Sequence, residues 1–327
     1  MRAPDFWRRP GVASVLLVPV GWLFGLAARL RLQMTTPWRA PVRVLCIGNL
    51  VAGGAGKTPV AISLGARLAE RGAKVHFLGS GYGGAATGPL RVDPKVHAAA
   101  TVGDEALLLA RMAPTWIARD RVAGVRAAAD GADVVVMDDG FQDPAVAKDL
   151  SVLVVDGGYG FGNRRVIPAG PLREPVEAGL ARAQALVVIG ADKAGIVDDA
   201  AVHAQGIPIL RAAVTPGPEA AHLKGQRVVA FAGIGRPEKF FATLEALGCR
   251  VAVARAFADH HPFSDGDIQR LKAEGRDRDA RLVTTEKDAV RLPAAFRDGV
   301  EVLTIALAWS DEAALDVLLE PLAKGAA

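Results

Sequence analysis

The sequence is short of cysteine, of aromatic residues and of net charge, and each shortage removes a class of protein. Its two cysteines, Cys46 and Cys249, stand far apart and cannot frame a disulfide-stapled domain. They fit a reducing compartment, as two small buried hydrophobes. Aromatics are 6% of the chain while hydrophobic residues are 51%, so the core is aliphatic and a disordered chain is excluded. The formal net charge of +4 is too small to argue for nucleic acid as a partner. No unit repeats at a fixed period, which excludes a solenoid, and nothing implies an obligate protein partner. The 327 residues suit two domains, each able to bury its own core.

What is present begins with a charge-free run, Gly11–Ala28, GVASVLLVPVGWLFGLAA. As a helix it would be about 27 Å long, against about 30 Å for a hydrocarbon core. Pro19, Gly21 and Gly25 argue against one straight spanning helix. Arg2, Arg8 and Arg9 precede the run, Arg29, Arg31, Arg39 and Arg43 follow it, and Trp7 and Trp22 suit headgroup contact. Residues 1–40 therefore read as a membrane-associating segment that lies on the surface as a helix or hairpin. A spanning helix, a buried helix and a signal peptide are the alternatives.

From residue 41 short apolar runs alternate with helical stretches. Val42–Gly48, Val75–Leu78, Val134–Met137, Val152–Val155 and Leu186–Ile189 read as buried strands, and Pro59–Arg71, Glu105–Met112 and Arg121–Ala129 as helices. Continuous apolar strands predict a parallel sheet with helices on both faces, an α/β fold. TPGP at Thr215–Pro218 marks a linker. A second α/β series follows, so the expected division is residues 41–218 and a smaller domain, 219–327, closing over a cleft.

Between the first strand and first helix stands Gly48–Pro59, GNLVAGGAGKTP. In such a loop backbone N–H groups close around phosphate oxygens at a helix N-terminus. Gly53, Gly54, Ala55 and Gly56 would form the cradle, Lys57 would reach the β- and γ-phosphates, and Thr58 would ligate Mg²⁺. The common pattern has glycine where this chain has Val51. A second metal carboxylate is expected at the end of a neighbouring strand, where Asp138 and Asp139 follow four apolar residues. The spacing leaves open which of the two it is. The fold expected is thus of P-loop NTPase type, with ATP and Mg²⁺ as cofactors.

Further segments carry a resemblance. GNLVAGGAGKTP, VGDEALLLA (Val102–Ala110), DDGFQ (Asp138–Gln142), GNRRVIPAGPLREP (Gly162–Pro175), FAGIGRPEKF (Phe231–Phe240), ADHHPF (Ala258–Phe263) and VTTEKDAVRL (Val283–Leu292) occur in order. Together they resemble the tetraacyldisaccharide 4'-kinases, the lipid A 4'-kinases. The resemblance implies transfer of the ATP γ-phosphate to the 4'-hydroxyl of a tetraacyldisaccharide 1-phosphate in lipid A biosynthesis. It implies a peripheral enzyme at the cytoplasmic face of a Gram-negative inner membrane, with an acylated disaccharide lipid as partner. Asp104 matches the position of the family's proton acceptor and His260 the histidine paired with it, with His261 the competing neighbour. Arg173 could clamp phosphate, Glu174 could enter the Mg²⁺ shell, and Arg164 and Arg165 could hold the acceptor's 1-phosphate. Thr284–Asp288 is expected to line the cleft near the nucleotide.

Two positions depart from the family pattern: Ser80 stands for an arginine and Asp143 for a histidine. A membrane-attached P-loop switch ATPase is the alternative reading. Those proteins carry a signature lysine where this chain has Ala52, and they have no place for the DHH and TTEKD segments. A small-molecule ligase or kinase, or a non-catalytic scaffold, would leave the apolar N-terminus or Lys57 without purpose.

Overall fold

The computed structural model describes residues 4–323, so Arg2 lies outside the described residues. Two sheets organise it. The strands are β1 (Arg43–Gly48), β2 (Val75–Gly79), β3 (Leu90–Arg91), β4 (Thr115–Ile117), β5 (Val134–Asp138), β6 (Leu150–Asp156), β7 (Ala185–Ile189), β8 (Ile209–Pro216), β9 (Arg227–Ala232), β10 (Arg250–Ala256), β11 (Arg281–Thr285), β12 (Val300–Leu303) and β13 (Ile305–Trp309). The larger sheet has the order β13-β8-β7-β6-β1-β5-β2-β4-β3 and is parallel except at its two edges. The smaller, β10-β9-β11-β12, is parallel throughout.

The apolar runs explain the centre of the large sheet. Val44–Ile47 of β1 are fully buried and every residue of β6 is buried, because helices cover both faces. The chain runs from β1 to β2 on one side of β1 and, after β5, crosses to β6 on the other. The crevice at the carboxyl ends of β1, β5 and β6 is therefore a switch point, where open α/β sheets bind ligands.

The expected boundary at residues 219–327 needs correction. The small sheet ends at β12, and β13 returns to pair antiparallel with β8, Ile305 opposite Pro216. The helix Glu312–Ala323 follows it, burying Leu315, Leu319 and Leu322 in the core of the large sheet. TPGP is accordingly the end of a strand, and Gly217 N–H donates to Thr304 O where the outgoing and returning chain lie side by side.

At the N-terminus the charge-free run forms two helices, α1 (Val12–Leu16) and α2 (Val18–Met34), with Pro19 in the first turn of α2. Gly21 and Gly25 do not break α2. A Cβ on Gly21 would lie 2.8 Å from Val166 O, so this glycine lets the helix approach the body of the protein. Among the described residues no helix is long and apolar enough to cross a membrane. The opposite side of α1 and α2 leaves Val12, Leu16, Trp22, Leu23 and Leu26 exposed.

Candidate active site

The glycine-rich loop leaves β1 at Gly48 and enters helix α3, Lys57–Glu70, with Gly56 at its N-cap. Gly56 has φ of 89°, where any other residue is strained, and a Cβ there would also push Ile189 Cδ1 aside at 2.6 Å. Asn49 braces the loop from within, its amide donating to Val51 O at 2.6 Å and Gly53 O at 3.3 Å. Lys57 Nζ reaches Asn49 Oδ1 at 3.3 Å and Asp139 Oδ2 at 3.6 Å.

Register places Asp138, the last residue of β5, beside Ile47 of β1, next to the loop. Thr58 Oγ1 donates to Asp138 Oδ2 at 2.7 Å, while Asp138 Oδ1 is buried with no hydrogen-bond partner. Burial, reinforced by the nearby Glu105 charge, raises the Asp138 pKa above the ordinary carboxylate value. Asp139 differs. Burial opposes its charge too, but Lys57 and Arg173 outweigh that and hold its pKa low. Arg173 grips both Asp139 oxygens, at 2.8 and 3.2 Å. Of the two acids, Asp138 has the oxygen to spare. With the Thr58 hydroxyl it suits Mg²⁺, which takes few protein ligands and keeps water and phosphate oxygens. Among the described residues no group of three or more His, Cys, Asp or Glu could hold a metal.

Glu174 does not join these groups. Arg182 donates to both its oxygens, at 2.6 and 2.5 Å, and Gln142 donates to one at 3.2 Å. The geometry makes Glu174 the partner of Arg182 and gives no support to a place in the metal shell. Gln142 also donates to Asn49 O at 2.9 Å and accepts from Arg173 at 3.2 Å, so it ties the acidic pair to the loop. Arg164 and Arg165 lie elsewhere. Arg164 pairs with Asp199 and Glu177, and Arg165 donates to Ser14 Oγ at 2.8 Å, bracing α1. Neither is drawn to the glycine-rich loop. Asp143 is a turn residue, its Oδ1 accepting from Ala145 N–H.

A second cluster forms where the small sheet faces helix Asp104–Ala110. Gly103, with φ of 85°, precedes that helix, and a Cβ on it would lie 2.4 Å from Tyr82 O. Only glycine lets the Tyr82 loop sit against the start of the helix. Asp104 is 3% exposed and accepts from its own helix through Glu105 N–H. From the other body His260 Nδ1 meets Asp104 Oδ2 at 3.0 Å, Arg291 Nε lies 3.4 Å away and Lys287 Nζ 4.0 Å. Burial would raise the Asp104 pKa, but the His260 hydrogen bond and the Lys287 and Arg291 charges prevail and hold it below the ordinary value. His260 sits at φ of 57°, uncommon for a non-glycine residue, and its ring meets the Tyr82 ring edge-on at 5.5 Å. His261 turns away, bonded to Asp267 at 3.1 Å and stacked on Phe257.

Sequence reasoning missed Lys287 and Arg291 as partners of Asp104; it set Thr284–Asp288, which holds Lys287, along the cleft near the nucleotide and gave Arg291 no place. It also passed over Arg121, buried, whose Nη2 donates to Asp139 O at 3.1 Å while Nη1 has no partner. Both cysteines are buried and free, and burial pushes the Cys46 thiol up to about 11 and raises that of Cys249, away from the thiolate form that a nucleophile needs.

The model of the LpxK family, tetraacyldisaccharide-1-P 4'-kinase, matches residues 13–323. The chain belongs to that family. Tetraacyldisaccharide 4'-kinase of Paramagnetospirillum magneticum is 55% identical over 321 residues, covering 98% of each chain. That of Rhodospirillum centenum is 56% identical, covering 99% of this chain and 98% of its own. A crystal structure of LpxK from Aquifex aeolicus in complex with ATP superposes with a TM-score of 0.77 at 26% identity, covering 94% of this chain and 99% of that one. Membership in the LpxK family makes the chain an ATP-dependent kinase of lipid A biosynthesis that acts on the 4' position of a tetraacyldisaccharide 1-phosphate. The switch-ATPase alternative falls with that result.

Proposed function

We propose that ATP binds on Gly53–Thr58, that Thr58 and Asp138 hold Mg²⁺, and that Asp104, assisted by His260, accepts the proton of the attacking 4'-hydroxyl. One observation carries the catalytic part: Asp104 and His260, from different bodies of the protein, meet at 3.0 Å. When bound, Mg²⁺ supplies charge neutralisation at the β- and γ-phosphate oxygens. Lys57 adds a cation from the loop, and the Asn49 and Asp139 contacts fix its ammonium in advance. A carboxylate held below its ordinary pKa is ionised at neutral pH but is a weak base. That suits phosphoryl transfer, whose loose transition state asks the acceptor hydroxyl to be oriented first and deprotonated late. The test is transfer of label from γ-labelled ATP to detergent-dispersed tetraacyldisaccharide 1-phosphate. A bis-phosphorylated lipid supports the reading, and hydrolysis of ATP with the lipid unlabelled defeats it.

The acceptor's acyl chains give the exposed helices a purpose. We place α1 and α2 on the cytoplasmic face of the inner membrane, apolar side down, with the exposed Arg8, Arg9, Arg29 and Arg31 at the headgroups. The wild-type chain is then expected to float with vesicles containing anionic phospholipid. The double change Leu23→Asp and Leu26→Asp, on residues 68% and 53% exposed, abolishes flotation without lowering Tm. Flotation of that variant at wild-type level would rule out this orientation.

A further inference from the structure

Among the contacts of the second body with the first, one lies at the glycine-rich loop and one at Asp104, and a short turn connects these two. After β9, Arg236 Nη2 donates to Gly54 O in the glycine-rich loop at 3.1 Å and to Asp156 at the end of β6. Lys239, in the helix Pro237–Ala246, reaches the same carboxylate. Asp156 is 6% exposed, and with two cations on one buried acid this is no ordinary surface bridge. At the other end of the turn stands Gly233. Its N–H donates to Asp288 at 2.9 Å, and its carbonyl accepts from Arg291 Nη2 at 2.9 Å and from His260 N–H at 3.0 Å. A Cβ there would lie 3.0 Å from Ala258 O, so the peptide is closely packed where it stands. His260 and Arg291 are the two groups that then meet Asp104.

We propose that Arg236 is a positioning residue: it docks the second body on the ATP loop through Gly54 and Asp156, and through Gly233 that docking sets His260 against Asp104. The proposal rests on the role given above to Asp104. It turns residues 232–236 into the link by which the state of the ATP loop reaches the carboxylate that handles the acceptor. A group whose only role is to bind nucleotide would be felt in KM for ATP. A link of this kind is felt in kcat.

The experiment compares full-length wild type with Arg236→Ala, Arg236→Lys and the reversed pair Arg236→Asp with Asp156→Arg, in transfer to detergent-dispersed acceptor. Arg236→Ala is expected to lower kcat about 5–150-fold, the span of ordinary coupling between sites, when assayed at a temperature where circular dichroism shows the variant fully folded. Arg236→Lys and the reversed pair each recover part of it. The acid limb of the kcat profile also moves to higher pH in Arg236→Ala. Asp104 is faced by His260, Lys287 and Arg291, with Glu105 on its own helix and Asp259 beside His260. Losing the His260 bond removes an interaction that favours the ionised acid. An unchanged kcat and acid limb, or a rise in KM for ATP alone, overturns the proposal while Asp104→Asn remains inactive. An active Asp104→Asn overturns instead the reading on which it rests.

Discussion

Replacing Asp104 by asparagine lowers kcat by roughly 10²–10⁴-fold and leaves ATP affinity nearly unchanged. The size is that of a general base, because the amide can neither hold a charge nor take the 4'-hydroxyl proton. Asparagine is the better first test than alanine. Asp104 is 3% exposed and answers His260, Lys287 and Arg291, so either change leaves those cations without their anion, a loss of about 3–5 kcal/mol in stability. Asparagine, however, keeps the shape and the hydrogen-bonding oxygen that alanine would lose as well. The two effects separate with pH. The Asp104 pKa is lower folded than unfolded, so its stabilisation is present above the unfolded value and fades as pH falls through the folded one. The stability gap between wild type and Asp104→Asn therefore narrows in acid, as denaturant titrations at several pH values would register. The kinetic gap at neutral pH stays. Equal loss of kcat and of ATP affinity would remove the base assignment.

The second large effect is expected at Lys57. Lys57→Met should cut transfer by about 10²–10³-fold, the magnitude seen when one preorganised donor to a transition-state oxyanion is removed. Single-turnover measurement at saturating ATP isolates this from binding. Arginine should not rescue it. A lysine acts as a compact charge, and the Asn49–Asp139 seat that fixes the ammonium is already bounded by the Arg173 fork. Transfer by Lys57→Met at more than a tenth of the wild-type rate would mean that the loop holds phosphate through its backbone alone.

These residues were legible in the sequence because local rules place them. A buried parallel strand reads as an unbroken apolar run, and so β1, β5, β6 and β7 and the loop and acids at their ends could be found. The unread features depend on distant partners. β13 looks like any short apolar run, and only its pairing with β8 across 89 residues returns it to the first sheet, Ile305 opposite Pro216. Gly21 reads as a helix breaker by propensity, yet the approach of Val166 O makes it a packing residue within α2. Glu174, Arg164 and Arg165 stand in a charged loop with more than one partner in reach. Arg182, Asp199 and Ser14 took them, and no local pattern says so. Arg236 and Asp156 were silent for the same reason, being ordinary polar residues until the two bodies meet.

The stretch from Asn163 to Arg173 has two ends with different tasks. Near its start the Asn163 amide donates to Phe6 O and Ser14 Oγ, and Trp7 Nε1 donates to Pro168 O, so the apolar helices are pinned to it. Its far end runs along the glycine-rich loop, where Ala52 N–H donates to Pro171 O and Arg173 N–H to Leu50 O. One span thus acts as a caliper, with the helices on one jaw and the ATP loop on the other. If α1 and α2 rest on a bilayer as proposed, this span sets the height at which a sugar hydroxyl stands when the phosphate arrives. Here that height is a fixed dimension of the fold, and tilting the helices would carry the ATP loop with them.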